Sequence, residues 1–208
     1  SLDDLSPGDT IITNDPWIGT GHLLDITMLR PVFYDEQIIA FTSTVAHVPD
    51  IGGTGMSPIG TDVYEEGLRI PPTKIVEAGE LNKQLLAIIA NNSRVPNQLT
   101  GELMAQISSN IFAERSLIEF IADFKVDDFN SFADEIIARS DAVMKSSLSR
   151  ISQGTYSSII LAEGSQEDVT INCEVKIRDS EIFVDFSGTS GTVRNAINVP
   201  FVFTYSLS

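Results

Sequence analysis

Between Pro96 and Phe124, apolar residues recur every three or four positions: Leu99, Leu103, Ile107, Ile111, Leu117, Ile118 and Ile121. That is the helical period, and a second helical stretch, from about Asp128 to Ile151, opens on an Asp-Asp pair able to cap it. The two helices, joined near Lys125 to Asp127, are expected to pack as an antiparallel pair. The flanking segments read as strands. "TIIT", "ITMLRPVF" and "QIIAFTSTVA" precede the helices, and "TYSSIILAE", "DVTINCEVKIRD" and "EIFVDFSG" follow them, all rich in β-branched and aromatic residues. Strands, helices, strands in that order predict an α+β fold. Its parts are a β-rich region over residues 1–95, a helical hairpin over 96–151 and antiparallel strands over 152–208, where "VPFVFTYSLS" is another run of strand formers.

Two further local signals refine the first region. "ITMLRPVF" and "QIIAFTSTVA" flank the polar "YDEQ", which predicts a hairpin. Residues 48–79 hold Gly52, Gly53, Gly55, Gly60, Gly67, Gly79 and a Pro71-Pro72 pair, so a long ordered loop is expected there. "ELNKQLLAIIAN" then carries Leu81, Leu85, Ile88 and Ile89 at helical spacing.

The 208 residues include 29 acidic and 13 basic side chains, a net charge of −16. Such a surface repels phosphate backbones and anionic lipid, which argues against a nucleic-acid or membrane partner. No apolar run approaches the roughly 20 residues of a spanning helix. The single cysteine, Cys173, has no internal disulfide partner and falls in an alternating run, where a buried inert thiol and a cytoplasmic setting are expected. The chain opens without an initiator Met and reads as a portion of a longer one.

Chemistry concentrates in "NDPWIGTGHLLDI", residues 14–26. The chain has only two histidines, His22 and His47, and each stands three residues before an aspartate, Asp25 and Asp50. A short loop at Asp35 to Gln37 makes the numbers of facing hairpin residues sum to about 72, which sets Asp25 opposite His47. Facing residues have Cβ atoms roughly 4.5–5.5 Å apart, a chelating distance. Gly19 and Gly21 free His22 to fold back over the same open end. Two imidazoles and one carboxylate with positions left open are the arrangement of catalytic divalent-metal sites, so such a site is expected here, and the mixed donors suit Zn, Fe, Mn or Co alike. Asp50, or Asp15 on the approaching loop, could be a further ligand or the acceptor that orients a ring. Aspartate beside glycine is also ordinary turn chemistry.

Other strings carry less. In "YEEGLRIPP", residues 64–72, Arg69 or Glu65 could face an anionic or polar substrate, and a tight exposed turn is the plainer reading. "FSGTSGTVRNAIN", residues 186–198, lacks the Gly-Lys-Ser/Thr of a nucleotide loop and reads as a structural turn, so no nucleotide site is assigned to this chain. No Gly-x-Ser-x-Gly elbow supports serine catalysis.

Five motifs in order, "GDTIITNDPWIGTGHLLDITMLRPVF", "AHVPDIGG", "YEEGLRIPP", "RVPNQLTGELMAQI" and "VDFSGTSGTVRNAINVP", resemble the hydantoinase B family. That group includes N-methylhydantoinase B subunits, the C-terminal half of oxoprolinases and the large subunits of acetone and acetophenone carboxylases. The resemblance covers nearly the whole chain and implies that it is a central portion of a longer subunit. It implies a catalytic metal, of Zn, Mn or Fe type, on His22, Asp25 and His47; where some relatives have a second His, this chain has Val48. It also implies a hetero-oligomer with a hydantoinase A-type subunit that binds ATP and phosphorylates the carbonyl. The activity so implied is ATP-dependent opening of a cyclic amide such as a hydantoin or lactam. Asp50 would orient His47 or take a proton from water, and Arg69 would face the substrate. An ATP-dependent ketone carboxylase and a non-catalytic assembly module are the alternatives.

Overall fold

The structure is a computed structural model and describes residues 4–55, 57, 59–164 and 168–207. It has two compact units, residues 1–127 with 195–207, and residues 128–194. The first holds an antiparallel sheet of β1 (Thr10–Thr13), β2 (Asp25–Tyr34), β3 (Gln37–His47), β4 (Thr73–Glu77) and β5 (Glu80–Leu81), in the order β3-β2-β1-β4-β5. Helices α1 (Lys83–Asn91) and α2 (Pro96–Phe124) follow. The second unit holds α3 (Phe129–Leu148) and an antiparallel sheet of β6 (Gly154–Ala162), β7 (Val169–Arg178) and β8 (Glu181–Asp185). The chain returns to the first unit in α4 (Phe201–Leu207). The α+β class, with antiparallel strands before and after the long helices, is the one the patterning predicts.

Particular expectations differ. The two long helices fall in different units: α2 ends at Lys125, which adopts a left-handed conformation (φ 51°), and Asp128 starts α3 by accepting from the Asn130 amide at 3.0 Å. Residues 73–77 are a strand inside the stretch expected to be loop. Pro71-Pro72 before them and the Ala78-Gly79 turn after them leave too few residues for a periodic signal, yet Ile75 and Val76 are buried against the core. Leu81 belongs to β5, opposite Val76, and α1 begins two residues later, with the Asn82 side chain accepting from the Leu85 amide at 3.0 Å. At the C-terminal end, "FVFTYSL" is a helix although its residues favour strands. The Pro200 carbonyl accepts from the Phe203 and Thr204 amides, which closes the first helical turn. Cys173 is half-buried on the middle strand of its sheet.

The hairpin of β2 and β3 carries the consequential detail. Its turn is only Asp35 and Glu36, both at positive φ (48° and 64°), and Gln37 already pairs with Tyr34. Phe33 faces Ile38, but Val32 faces Ala40, so Ile39 is an extra, bulged residue. From there to the open end the register is displaced by one, and the last pair is Asp25 with His47. The sequence argument thus reaches the right pair, while the geometry that produces it is a shorter turn plus a bulge.

One face of the sheet is covered. Ile26, Met28 and Val32 of β2 are fully buried, as are Leu99 and Leu103 of α2, which lies across β2 and β3. Burying each such side chain stabilises the fold by about 1.5–3 kcal/mol. Polar bonds set the helix's position along the strands. Thr44 Oγ1 donates to Gln106 Oε1 (3.2 Å) and accepts from Asn110 Nδ2 (2.9 Å), and Arg30 Nε donates to Glu114 Oε2 (2.6 Å). Asp25, Thr27 and Leu29 alternate onto the opposite face. The long loop is ordered by close backbone approach: a Cβ on Gly67 (φ 144°) would come within 2.7 Å of Ile51 Cγ2.

Leu103→Ala should lower stability by about 2–5 kcal/mol, since the cavity lies under α2. Met104→Ala, one residue on and partly exposed, should cost less than about 0.5 kcal/mol. Urea-unfolding midpoints compare the two.

Candidate metal centre

At the open end of the hairpin, His47 Nδ1 lies 2.9 Å from Asp25 Oδ1. His22, reaching back from the loop before β2, places Nε2 3.2 Å from Asp25 Oδ2. The two imidazole rings meet edge to face with centroids 5.1 Å apart. One ligand atom from each of His22, Asp25 and His47 falls within 4.8 Å of the others. Ligands of one ion at 2.0–2.2 Å stand about 3–3.5 Å apart, so modest side-chain rotations would close the set around it. With neutral imidazoles the donor set carries a single negative charge, which leaves a divalent ion partly uncompensated and able to polarise a further ligand. The His47 side chain is 53% exposed and that of Asp25 18%, so the cluster has an open side and a supported one. The donor chemistry fits a divalent ion.

The loop that brings His22 here is held by Asn14, a buried residue the sequence reading did not single out. Its Nδ2 donates to the carbonyls of Leu23 (2.8 Å) and Leu68 (2.9 Å), and its Oδ1 accepts from the Ile70 amide (2.6 Å). One amide thus ties together the end of the His22 loop and the segment before β4. A lone Asn after a strand has no periodic signature, and its partners stand 9 to 56 positions away. Beyond the hairpin, the Val48 amide donates to the Leu24 carbonyl (2.8 Å) and continues the pairing past His47. Gly21 adopts φ 101°, where a Cβ would be strained, and lies against the Phe203 ring of α4.

The other singled-out residues are placed differently. Asp50 is not on His47: among the described residues its carboxylate accepts from the Arg94 amide, from Arg94 Nη1 (2.6 Å) and from the Gly52 amide (3.3 Å). The Arg94 amide bond is the largest influence, and with the Arg94 charge it outweighs burial and holds the Asp50 carboxyl below the usual range. A carboxylate so engaged is a weak base; it fastens the loop that follows His47. Asp15 also stands outside the cluster. It accepts from Arg69 Nη2 (2.5 Å) and from the Trp17 amide (3.1 Å). Burial raises its pKa, but these bonds prevail and the net direction is downward. Arg69 is therefore paired with Asp15, and its guanidinium sits 5.1 Å from the centre of the Trp17 ring with its side chain 37% exposed. Glu65 accepts from the Thr61 amide (2.9 Å) and hydroxyl (3.1 Å) within its own loop. In the second unit, "FSGTSG" is a turn closed by Asn172, whose amide Nδ2 donates to the Ser187 carbonyl (2.5 Å).

A family model described as Hydantoinase B/oxoprolinase matches residues 1–208. The chain is 38% identical over 205 residues to an uncharacterized protein of Methanocaldococcus jannaschii, covering 95% of the chain and 36% of that protein. It is 29% identical over 218 residues to the B subunit of a putative D-/L-hydantoinase from a Pseudomonas species (strain NS671), covering 99% and 37%. The crystal structure of the ATP-dependent caprolactamase from Pseudomonas jessenii superposes with a TM-score of 0.91 at 31% identity, covering 99% of this chain and 36% of that one. The chain thus spans roughly a third of the length of these relatives.

Asn14→Ala removes the partner of three backbone groups, the buried Leu23 carbonyl and Ile70 amide and the half-buried Leu68 carbonyl, and should cost at least about 2 kcal/mol. Hydrogen exchange of residues 15–24 should accelerate while that of α2 does not. Asp15 and Asp50 ionise at lower pH folded than unfolded, so the unfolded chain binds more protons as the medium acidifies. Their contribution should be complete above the ordinary aspartate pKa, about 3.9, and vanish as pH falls through the depressed values. In urea titrations between pH 2 and 6, Asp15→Asn should flatten the acid limb.

Proposed function

Because the chain belongs to the hydantoinase B/oxoprolinase family, we propose that it forms the metal-bearing part of a B-type subunit in an ATP-dependent cyclic amide hydrolase. A hydantoin or lactam is the substrate, and a hydantoinase A-type partner carries the ATP site. The convergence of both histidines of the chain on Asp25 is the observation that supports this reading most directly. Relatives named as the B subunit of a hydantoinase and the beta subunit of a caprolactamase support the substrate class and the multi-subunit assembly.

His22, Asp25 and His47 would hold a divalent ion, which supplies Lewis acidity toward a carbonyl oxygen or a bound water. Asp25 contributes the negative charge and, sitting between the two rings, keeps both turned toward one point. His47 offers the solvent-facing edge from which a substrate approaches. Asn14 and the Asp15–Arg69 pair immobilise the loop bearing His22, so that its ring is in place before substrate arrives. The exposed part of Arg69, against the flat face of Trp17, suits a polar planar ring held by stacking and a hydrogen bond. An unstrained amide is a poor electrophile. Phosphoryl transfer from ATP on the partner would activate the carbonyl oxygen and release ADP; water then adds to the carbon, the ring C–N bond breaks with the nitrogen taking a proton, and a second water hydrolyses the resulting acyl phosphate to carboxylate and inorganic phosphate.

The test uses the full-length subunit with its partner. Purified wild type should contain a stoichiometric divalent metal by elemental analysis and consume a lactam or hydantoin with ATP. His47→Ala and Asp25→Ala should lose the metal and lower kcat/KM more than about 100-fold, the several kcal/mol a Lewis acid supplies. A metal-free wild type with full activity overturns the reading. Consumption of a ketone with bicarbonate and ATP, and of no cyclic amide, would replace it with the carboxylase. Full activity in His47→Ala would mark an assembly module.

A further inference from the structure

Three buried side-chain atoms beside the cluster have no hydrogen-bond partner among the described residues: Thr20 Oγ1, His22 Nδ1 and Thr27 Oγ1. An unpaired buried polar group is a penalty folded proteins seldom leave standing, and these three fall between residues 20 and 27. Topology brings them to one place. Thr27 follows Asp25 by two positions on the same face of β2, the face away from α2, and pairs with Val45, two positions before His47. Gly19 lies against it: a Cβ there would stand 3.7 Å from Thr27 Oγ1. Thr20 is the next residue in the chain, and His22 comes two after that.

The His22 ring explains why a partner is needed. Its Nε2 is the atom turned to Asp25, at 3.2 Å, so Nδ1 is on the other side of the ring. When Nε2 is the ligating atom, Nδ1 bears the proton and is a donor with nothing to accept it. Ligating histidines are ordinarily held by an acceptor at the second nitrogen, which sets both tautomer and ring orientation. Here no carboxylate or carbonyl among the described residues fills that place. Thr20, two residues before His22, and Thr27, two residues after Asp25, carry the other unpartnered buried hydroxyls of this segment, each able to donate one bond and accept others.

We propose that Thr20 and Thr27 hold a water molecule that accepts from His22 Nδ1 and fixes the ring for ion binding. The two threonines are positioning residues, and the proposal rests on the metal reading above. Three polar partners are what a buried water ordinarily has. The arrangement also separates two consequences that a structural role would join. Each hydroxyl bonds only the water, so a methyl of the same shape removes that bond and none within the protein, and the metal-free fold changes little. Metal affinity, which depends on the bridged water, falls.

The experiment measures how tightly the full-length protein binds Zn2+, in competition with a chromophoric chelator, together with thermal unfolding of the metal-free form. Thr27→Val and Thr20→Val should each weaken Zn2+ binding about 10–100-fold, with metal-free midpoints close to wild type. Thr27→Ser, which keeps the hydroxyl, should bind within about threefold of wild type. Wild-type affinity in both valine variants overturns the proposal while leaving the metal site intact. A metal-free midpoint that falls in step with affinity overturns it too, since that is the mark of a structural role. A wild-type protein that binds neither Zn2+ nor Mn2+ overturns the metal reading and this proposal with it.

Discussion

One extra residue in β3 governs the candidate centre. Side chains on a strand alternate between faces, so displacing a strand by one position turns every side chain to the other face. The two-residue turn at Asp35 and Glu36 on its own would set Asp25 opposite Ala46 and send His47 out of reach. The bulge at Ile39 absorbs the difference before the covered part of the hairpin begins, and Asp25 meets His47 at its far end. The buried alternation of Ile26, Met28 and Val32 then locks the register, because slipping it would expose three large apolar side chains.

Around that fixed pair, polar groups add to the hydrophobic fastening. The loops bearing His22 and following His47 bury Leu23, Leu24, Val48, Ile51 and Ile70 in the core. Asn14, the Asp15–Arg69 pair and the Asp50–Arg94 pair add bonds to backbone and charge. Two aspartates that resemble ligands in the sequence are used in this way, and their pKa values move down because arginine and amide partners favour the charged form. A chain with 29 acidic residues offers many carboxylates near any histidine, and the structure sorts them by partner: Asp25 has imidazoles, Asp15 and Asp50 have guanidinium groups.

Likeness to the caprolactamase structure extends over nearly all of this chain, across both units. Within the first unit, the sheet face opposite α2 presents Asp25, Thr27 and His47 together, with Leu29 farther along the same face. The face under α2 carries Ile26, Met28 and Val32 of the core, and the opposite face carries the donors of the candidate centre.

By itself the amino-acid sequence determined what depends on local periodicity: helices over Pro96–Phe124 and from Phe129, strands on either side, the α+β class, and the hairpin whose far end joins Asp25 to His47. The ordered motifs also carried the family. Tertiary structure alone decided the rest, since it depends on partners remote along the chain. Short β4 exists because β1 is there to pair with it, "FVFTYSL" forms a helix that starts on the Pro200 carbonyl, and Asp50 turns to an arginine 44 positions away. The orphaned Thr20, His22 and Thr27 atoms belong to the same category: whether a polar atom is buried without a partner is a property of packing, which no local pattern of residues encodes.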